Sequence, residues 1–559
     1  MDLRIAANAP SQPPVQGAPP AQQQPPAQQQ PPADQVQIST FWQDPFVGPT
    51  DASLVDRAMV GTELANSRVQ INDNREKIRP DADGNYRAEP GSDGESQINA
   101  QVVTTRTLNM WENYRGSAIN WSFWGGGALE VVPHKKAGMN AYYSRWEGST
   151  NYFYQPSQVL NTVVKTANSS DVVAHETGHA VLDGMKPGYL GSSDKETGAF
   201  HEAFGDCTAM LAGLQDVALN ERIIAQTGGD LKKPNAIAWL AEEFGKHRRL
   251  TNDDPADDNR AWLRNSQNKF TYVTPESLGD GRGDDDTLGG EIHSFARLFA
   301  GAFYDCLEAA YQHGLSEQSL PPAQALKYAA DTMGPLLSRA VDRAPANRGR
   351  FKDMGLGLIA ADQDINAGKL GDQIKKIFLD RKIISDSDLQ NQGQRQSALP
   401  DLRVDHNFTS AEEVAAYTSA RGQQLGLPEG VKLETVSLSL NERGEQVANL
   451  LYQQTVPVTV PGLEGLTTDV NGGVTLAFDA QGKLSDFRHT GITPEFVQDE
   501  MNGLAYMQRR GQILDEQRGP MIYTREDGKP YLAVIRGDKL VRVPSSACEC
   551  GSCGHCQSR

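Results

Sequence analysis

The chain has 559 residues, of which 22% are charged and 38% hydrophobic, so it is long enough for two or three folded domains. Its formal net charge of -18 at pH 7 argues against nucleic acid or an anionic membrane as the main partner. No apolar run approaches the roughly 20 residues that span a bilayer, so we expect no membrane span.

The chain begins with a segment that is unlike a folded domain. Residues 1–40 are dominated by Pro, Gln and Ala, a composition that predicts a disordered arm. The first residues also have no apolar stretch of the kind found in secretory signal peptides. We therefore expect a cytoplasmic location by default, with non-classical secretion as the alternative. The sequence does not decide between these two locations. The sequence gives no indication of the oligomeric state.

Two kinds of pattern follow the arm and predict an α+β fold. From about 40 to 165, short stretches rich in aromatic and β-branched residues alternate with Gly and Asn, which predicts a β-rich segment. From 170 to about 385, apolar residues recur with helical periodicity, and acidic, Gly-rich loops separate the helices. We treat 41–390 as one domain with these two parts.

A Gln-rich run breaks the helical pattern and predicts a boundary at about 390–402. Residues 400–545 are predicted to form a small α+β accessory domain, with a helix at 410–425, strands at 436–440 and 474–478, and a turn at 479–482. Its residues indicate no chemistry, and they do not decide between a chaperone, an inhibitor and a substrate-docking module.

A Cys-rich tail occupies residues 546–559. Four thiols and a histidine lie within nine residues, a spacing that suits a small zinc or iron–sulfur site. A redox-active or disulfide-bonded tail is the alternative. The possible metal ligands are Cys548, Cys550, Cys553 and Cys556.

The segment Asp171–Val181 contains the run His-Glu-Thr-Gly-His within a helical pattern. His175 and His179 are four residues apart, so both imidazoles lie on one helix face and can bind one zinc ion. Glu176 flanks that position and is suited to act as general base on a metal-activated water. The alternative is an ordinary helix whose histidines are solvated or hydrogen-bonded in the core.

A second helical segment supplies the carboxylates that such a site needs. Glu202 is the candidate third ligand, and a catalytic zinc commonly takes three protein ligands. Asp206 lies four residues later on the same face, where it can accept the outer N–H of a ligating histidine. Farther on, His293 begins an apolar helix and could stabilise an oxyanion if a carboxylate keeps it protonated. The run Asp284–Asp286 offers that carboxylate.

Taken together, these segments resemble the thermolysin-like zinc metallopeptidases, or gluzincins, including the fungalysin type. Residues 171–181 look like the active-site helix of that family, and residues 198–206 look like its third-ligand helix. Order and spacing agree from about 100 to 385. The resemblance implies a β-rich N-terminal lobe, a helical C-terminal lobe and a cleft floored by the zinc helix. It also implies cleavage of internal peptide bonds in polypeptide substrates.

The resemblance assigns further residues to the site. Asn140 and Ala141 match the edge strand that holds the substrate backbone, and Arg264 matches an arginine that binds a substrate carbonyl. His293 matches the oxyanion histidine. Tyr189 is the candidate for the tyrosine that assists the oxyanion, and Asp286 is the candidate partner of His293.

This sequence departs from the family pattern at two places. His201 stands where the family usually has Asn, so bonding around the metal ligands is expected to differ. Family members also bind structural calcium, for which Asp171 is a suitable ligand. Gly213 and Leu214, however, stand where the acidic partners are expected. The sequence therefore leaves calcium open.

From these residues we predict a zinc metalloendopeptidase with one catalytic Zn²⁺. An aminopeptidase on the same architecture would need a group that captures a free amine, and no such glutamate motif precedes the zinc helix. A catalytically inactive zinc-binding or interaction protein on the same fold is the remaining alternative. Such a protein would be expected to have lost Glu176 or a ligand.

Overall fold

The computed structural model describes residues 34–48, 53–123, 126–190, 192–251, 262–515 and 533–542. Within these ranges the protein is a mixed α+β structure, as the sequence predicts. The arm predicted at 1–40 lies largely outside the described residues, and the Cys-rich tail lies wholly outside them. None of the described helices combines the length and apolarity that crossing a membrane requires.

Short strands and one long helix make up the described chain before residue 166. The strands are β1 (Gln35–Ile38), β2 (Ser53–Asp56), β3 (Val69–Ile71), β4 (Leu129–Val132), β5 (Ala141–Ser144), β6 (Ser149–Tyr152), β7 (Tyr154–Ser157) and β8 (Thr162–Lys165), and the helices are α1 (Arg57–Val60) and α2 (Asp93–Arg115). Four strands form a sheet in the order β3-β4-β6-β5, while β1-β2 and β7-β8 form antiparallel pairs. Strand β5 is therefore an edge strand of the larger sheet.

Helix α2 interrupts the segment that the sequence predicts to be β-rich. Ser92 caps its first turn by accepting a hydrogen bond from the Glu95 amide, and Gly116 ends it in the left-handed conformation. Buried side chains lie on most of its circumference, so it lacks the one-sided apolar pattern by which surface helices are recognised. The β-branched run Val102–Thr105 strengthens the misleading strand signal.

Helices dominate the chain from residue 170 to residue 397, as the periodicity predicts. They are α3 (Ser170–Met185), α4 (Lys195–Leu214), α5 (Val217–Thr227), α6 (Glu242–Thr251), α7 (Ile292–Ser316), α8 (Pro322–Arg343), α9 (Phe351–Ile365), α10 (Gly371–Asp380) and α11 (Asp386–Ser397), with the short strands β9 (Trp239–Leu240) and β10 (Arg264–Asn265) between α5 and α7. The Gln-rich run predicted to break the pattern at 390 is instead the second half of α11. Ser385 begins that helix with a capping box, which stabilises a helix that has no buried residue.

The chain beyond residue 410 forms the predicted helix and strands. They are α12 (Ala411–Ala420), β11 (Glu434–Leu440), β12 (Gln446–Pro457), β13 (Thr467–Phe478), β14 (Leu484–Thr490), α13 (Pro494–Arg509), β15 (Ile513–Asp515), β16 (Ala533–Arg536) and β17 (Lys539–Arg542). Their seven strands form one sheet in the order β11-β12-β13-β17-β16-β15, with β14 also paired to β13. The predicted turn at 479–482 connects β13 to β14.

The accessory domain packs directly on the C-terminal end of α3. One hydrophobic core extends from Val36 to Ile384, and two smaller cores lie in the chain after residue 402. The buried Lys186 ammonium, just past α3, donates to the Ala344 carbonyl at 2.6 Å and to Asn449 Oδ1 on β12 at 2.7 Å. The accessory domain therefore contacts the same helix that carries the His-Glu-Thr-Gly-His run.

Candidate metal centre

Helix α3 brings the first candidate ligands together. His175 and His179 are separated by about one helical turn, and their Nε2 atoms lie 3.0 Å apart. One ligand atom each from His175, Glu176 and His179 falls within 4.8 Å of the other two. All three side chains are fully buried. Burial, and then the charge of His175, holds the pKa of His179 well below its usual value, so this ring is neutral and suited to bind a metal.

Two glycines allow α3 and α4 to approach closely at this point. A Cβ on Gly178 would lie 2.7 Å from Thr208 Oγ1 of α4 and 3.2 Å from the Gly205 Cα. A Cβ on Gly205 would lie 2.5 Å from His175 Nδ1. Gly178 is therefore required by the close contact between the two helices. Gly205 leaves room for the imidazole of His175.

Glu202 on α4 completes a set of three ligand atoms. Its carboxylate oxygens lie 3.5 Å from His175 Nε2 and 3.8 Å from His179 Nε2. Two ligands at roughly 2.0–2.1 Å from a tetrahedral zinc ion are about 3.4 Å apart. The separations of 3.0, 3.5 and 3.8 Å lie near this value, with Glu202 Oε2 next to His175 and Oε1 next to His179. We call His175, His179 and Glu202 the metal triad.

Asp206 and Arg264 form a second layer around the triad. Asp206 Oδ1 lies 3.0 Å from His175 Nδ1, where a carboxylate can hold the outer proton of a ligating histidine. The Arg264 guanidinium contacts the same carboxylate through Nη2 at 2.7 Å and Nε at 3.1 Å. The pairing of β9 with β10 positions Arg264 for this contact. The resemblance predicts that Arg264 binds a substrate carbonyl. In the structure, Arg264 also contacts Asp206 through two of its nitrogen atoms.

His201, which stands where the resembled family usually has Asn, contacts one of the two candidate histidine ligands. Its Nδ1 lies 2.8 Å from Nδ1 of His179, so one ring donates and the other accepts. Burial lowers the pKa of His201 to about 4, so both rings are neutral at pH 7. If His179 directs Nε2 to a metal, its proton is on Nδ1 and His201 is the acceptor. The contact with His179 agrees with the expectation that bonding around the metal ligands differs at this position.

His293 is beside the triad, but its partner differs from the one predicted. His293 Nε2 lies 3.6 Å from Glu202 Oε2, and Nδ1 makes a short contact with Glu291 Oε1. Burial lowers the pKa of His293, but Glu202 and Glu291 outweigh it and the net shift is upward. Asp286 is exposed, and its amide donates to Asp284 Oδ1. The carboxylate partner is therefore Glu291, which also caps α7, and the expectation for Asp286 is wrong.

Tyr189 makes contacts that do not match the oxyanion role predicted for it. Its hydroxyl donates a hydrogen bond of 2.9 Å to the Pro345 carbonyl, and its ring packs edge-to-face against Phe200. The side chain is 2% exposed. The Tyr189 hydroxyl is therefore engaged in a hydrogen bond within the fold, which argues against the oxyanion role that the sequence suggested.

The predicted substrate strand lies at a sheet edge. Ala141 is the first residue of β5 and pairs with Tyr152 of β6, which leaves the other side of β5 at the edge of the four-stranded sheet. Asn140 precedes it, and its Oδ1 is buried without a hydrogen-bond partner among the described residues. An edge strand and a preceding amide group can together hold an extended peptide.

A second buried polar group lies one turn before His175 on the same helix. Ser169 Oγ donates to Asp44 Oδ2 at 2.7 Å and contacts Asp171 Oδ1 at 2.5 Å. The Glu243 amide donates to Asp44, while Glu242 Oε2 is buried without a partner among the described residues. We call Asp44, Asp171, Glu242 and Glu243 the acidic cluster. Of these four residues, the sequence analysis named only Asp171.

The acidic cluster carries more carboxyl groups than it can keep ionised. Burial, with the charge of Asp44 next, raises the pKa of Asp171 to about 7. Burial followed by neighbouring carboxylates raises the pKa of Glu242 to about 9 and that of Glu243 to about 8. These groups therefore hold protons at neutral pH unless a cation replaces them.

Comparison with known proteins does not assign a family to this chain. No protein-family model matches it, and no curated protein matches it significantly. The function is therefore inferred from the arrangement of the residues themselves.

Proposed function

We propose that this protein is a zinc-dependent endopeptidase. The observation that carries the proposal is the metal triad, in which two imidazole nitrogens and a carboxylate lie at the mutual distances of tetrahedral zinc ligands. Glu176 follows His175 on the same helix, where a general base is required. The thermolysin-like resemblance, which includes these same residues, favours the same reaction.

The donor set and its surroundings fit zinc better than a hard cation. Two imidazole nitrogens with one carboxylate are a common zinc set, whereas calcium and magnesium prefer oxygen ligands. Each histidine has a partner for its outer nitrogen, Asp206 for His175 and His201 for His179. His175, His179 and Glu202 would hold the ion. A bound zinc would supply an activated water and polarise the scissile carbonyl.

The residues around the triad have separate roles in peptide hydrolysis. Glu176 accepts the proton of the attacking water and then gives it to the leaving amine. His293, whose pKa is raised by Glu202 and Glu291, donates to the oxygen that becomes negative during the attack. Arg264 is held beside the triad by Asp206, and the resemblance assigns it to a substrate carbonyl. Main-chain groups of β5 and the Asn140 amide hold the substrate in extended form.

We infer a two-lobed, thermolysin-like architecture from the position of α3. The strands before residue 166 and the helices after it meet at this helix, because α3 contacts β5, β6, α2 and α4. A cleft between the two parts would have the triad at its floor and the edge strand β5 along one side. An extended chain could pass through such a cleft, which favours endopeptidase activity over removal of a terminal residue.

We further propose that the acidic cluster binds one structural divalent cation, with calcium as the expected ion. Oxygen ligands, burial and an unpartnered Glu242 oxygen favour a hard cation there. The resemblance implies calcium near Asp171, and in this chain Asp44, Glu242 and Glu243 would serve in place of the partners missing at Gly213 and Leu214.

The decisive experiment measures zinc content and casein cleavage on the same purified full-length protein. We expect one zinc ion in the triad and cleavage at internal bonds, lost with a chelator and restored by zinc. Because the Cys-rich tail could bind metal by itself, the measurement is repeated with all four tail cysteines changed to serine. Loss of the triad zinc in His179→Ala, but not in the tail variant, assigns the ion. A protein that binds zinc in the triad without cleaving any polypeptide would be an inactive binding protein instead.

A further inference from the structure

The loop that leads into His293 is closed at its base by specific contacts. The Glu291 amide donates to the Gly281 carbonyl at 3.2 Å, and Arg282 Nε lies 3.4 Å from Glu291 Oε2. Gly290 packs so tightly that a Cβ there would lie 2.2 Å from the Gly279 carbonyl oxygen. Residues 279–282 therefore fix Glu291, and Glu291 in turn fixes the ring of His293.

Asp280 lies in this base and binds two cations from different parts of the fold. Its Oδ1 accepts from Lys195 Nζ at 2.9 Å, at the first residue of α4. Its Oδ2 accepts from Arg509 Nε at 2.6 Å, at the last residue of α13 in the accessory domain. Of its neighbours, Arg509 lowers the pKa of Asp280 most, which is consistent with a direct charged contact.

Helix α13 also holds the segment that leads into α4. Glu500 accepts from the Ser193 amide at 3.2 Å and makes a short contact with the Ser193 hydroxyl. Gly503 packs against the Ser193 carbonyl so closely that a Cβ would lie 1.8 Å from the oxygen. The Tyr506 ring lies over Lys195 Nζ at 4.5 Å. One helix of the accessory domain thus contacts both chain segments that enter the site, one before Glu202 and one before His293.

We propose that Arg509 and Asp280 are positioning residues through which the accessory domain orients the oxyanion histidine. The contacts run from Arg509 to Asp280, through the Gly281–Arg282 main chain to Glu291, and from Glu291 to His293. This inference rests on the proposed peptidase function. It assigns the accessory domain the role of positioning a residue of the catalytic site. This role replaces the chaperone, inhibitor and docking roles between which the sequence does not decide.

The first test compares variants at the two ends of the contact. Arg509→Ala and Asp280→Asn should each lower kcat for casein-derived peptides about tenfold, because small displacements of a catalytic group are costly. KM and zinc content should stay close to those of the unchanged protein, because the triad and β5 are not contacted by this pair. Arg509→Lys, which keeps a cation within reach of Asp280, should recover most of the lost rate.

Glu445→Gln provides a matched control in the same domain interface. Glu445 binds Arg339 at 2.7 Å, and neither residue contacts the 279–291 loop in the described structure. This variant should lower the thermal unfolding temperature of the protein without a selective loss of kcat. If it lowered kcat as much as Arg509→Ala, the effect would come from weakened domain packing and the inference would be wrong.

A double-mutant cycle decides whether Arg509 acts through His293. In a His293→Ala background, Arg509→Ala should change kcat less than about twofold, because residues acting through one another are not additive. An equal tenfold loss in both backgrounds would overturn the inference while leaving the peptidase intact. Absence of any chelator-sensitive cleavage by the unchanged protein would instead overturn the proposed function, and this inference with it.

Discussion

Helix α3 contributes to two buried polar groups, through His175 and His179 to the metal triad and through Asp171 to the acidic cluster. The two groups differ in how their charge is balanced. The metal triad combines one carboxylate with two imidazoles, and the Arg264 guanidinium lies 3.9 Å from that carboxylate. The acidic cluster combines four carboxyl groups, and the charged neighbours that raise the pKa values of Glu242 and Glu243 are all carboxylates.

This difference predicts different chemistry from similar burial. The triad presents nitrogen and oxygen atoms already at zinc spacing, and the pKa of His179 lies well below its usual value, so this ring is neutral across the physiological range. The acidic cluster must hold protons or a cation, because buried carboxylates without a counter-charge are costly. The first group is therefore suited to catalysis, and the second to pH-dependent stabilisation of the same helix.

The largest expected effect comes from Glu176→Gln. This change removes the general base while keeping the size of a fully buried side chain. General acid–base catalysis contributes roughly 10²–10⁴-fold to rate, so cleavage should fall by about that factor. Zinc content should be unchanged, since the triad is intact. Full proteolysis by this variant with zinc bound would show that Glu176 is not the base.

The next effect concerns the neutral partner of His179. His201→Leu removes the acceptor for the outer N–H, whereas His201→Asn keeps one on the same helix. Loss of such a partner typically lowers metal affinity about 10–100-fold. We expect that loss for Leu and a loss of only a few-fold for Asn, measured by competition with a chromophoric zinc chelator.

Asp206→Asn is the variant with which the zinc affinity of the His201 variants is compared. Asp206 contacts the outer nitrogen of His175, just as His201 contacts the outer nitrogen of His179. Equal zinc affinity for His201→Leu and the unchanged protein would show that the contact between His179 and His201 does not support the metal. Equal losses for Leu and Asn would indicate that only the shape of the imidazole is required.

The sequence was sufficient to place the candidate ligands within each helix, because helical spacing is a local property. His175 and His179 share one helix face, and Glu202 and Asp206 share another, so helical spacing alone places each pair. The helices after residue 170 and the strands of the accessory domain were predicted for the same reason, from period and turn residues.

Contacts between segments that are far apart in the chain could not be predicted from the sequence. Asp44 reaches the acidic cluster from 127 residues before Asp171, and no local pattern predicts that pairing. Glu291 replaced Asp286 as the partner of His293, because the loop folds back on itself and exposes the more acidic run. Helix α2 was missed because it is buried on most sides and therefore has no apolar stripe.

A third prediction tests the packing that admits His175. In Gly205→Ala the new methyl group would lie 2.5 Å from His175 Nδ1, so the ring must move. Overpacking of this kind costs about 1–3 kcal/mol, and zinc affinity should fall about tenfold. Gly198→Ala is the matched control on α4, where the nearest atom to the methyl group would be Ile292 Cγ2 at 3.3 Å and not a candidate ligand. Zinc affinity that is equally reduced in both variants would show that the helix as a whole, and not the ring, has been disturbed.

The smallest effect, and the most specific to the acidic cluster, is on the pH dependence of stability. Folding raises the carboxyl pKa values of Asp171, Glu242 and Glu243 to about 7, 9 and 8, from ordinary values of 3.8, 4.5 and 4.5. Between about pH 4.5 and 9 the folded protein therefore binds more protons than the unfolded chain, and its free energy of unfolding falls as pH rises. A divalent cation that replaces these protons should oppose the fall.

We therefore expect millimolar calcium, with zinc present, to raise the unfolding temperature by a few degrees at pH 8 and by less at pH 6. Glu242→Gln removes one of the competing carboxylates, so it should weaken both the pH dependence and the calcium effect while leaving zinc affinity unchanged. A calcium effect of equal size at the two pH values, or one that survives in Glu242→Gln, would place the cation elsewhere. Loss of zinc affinity in this variant would show that the two groups on α3 are not independent, which the separate balance of their charges does not predict.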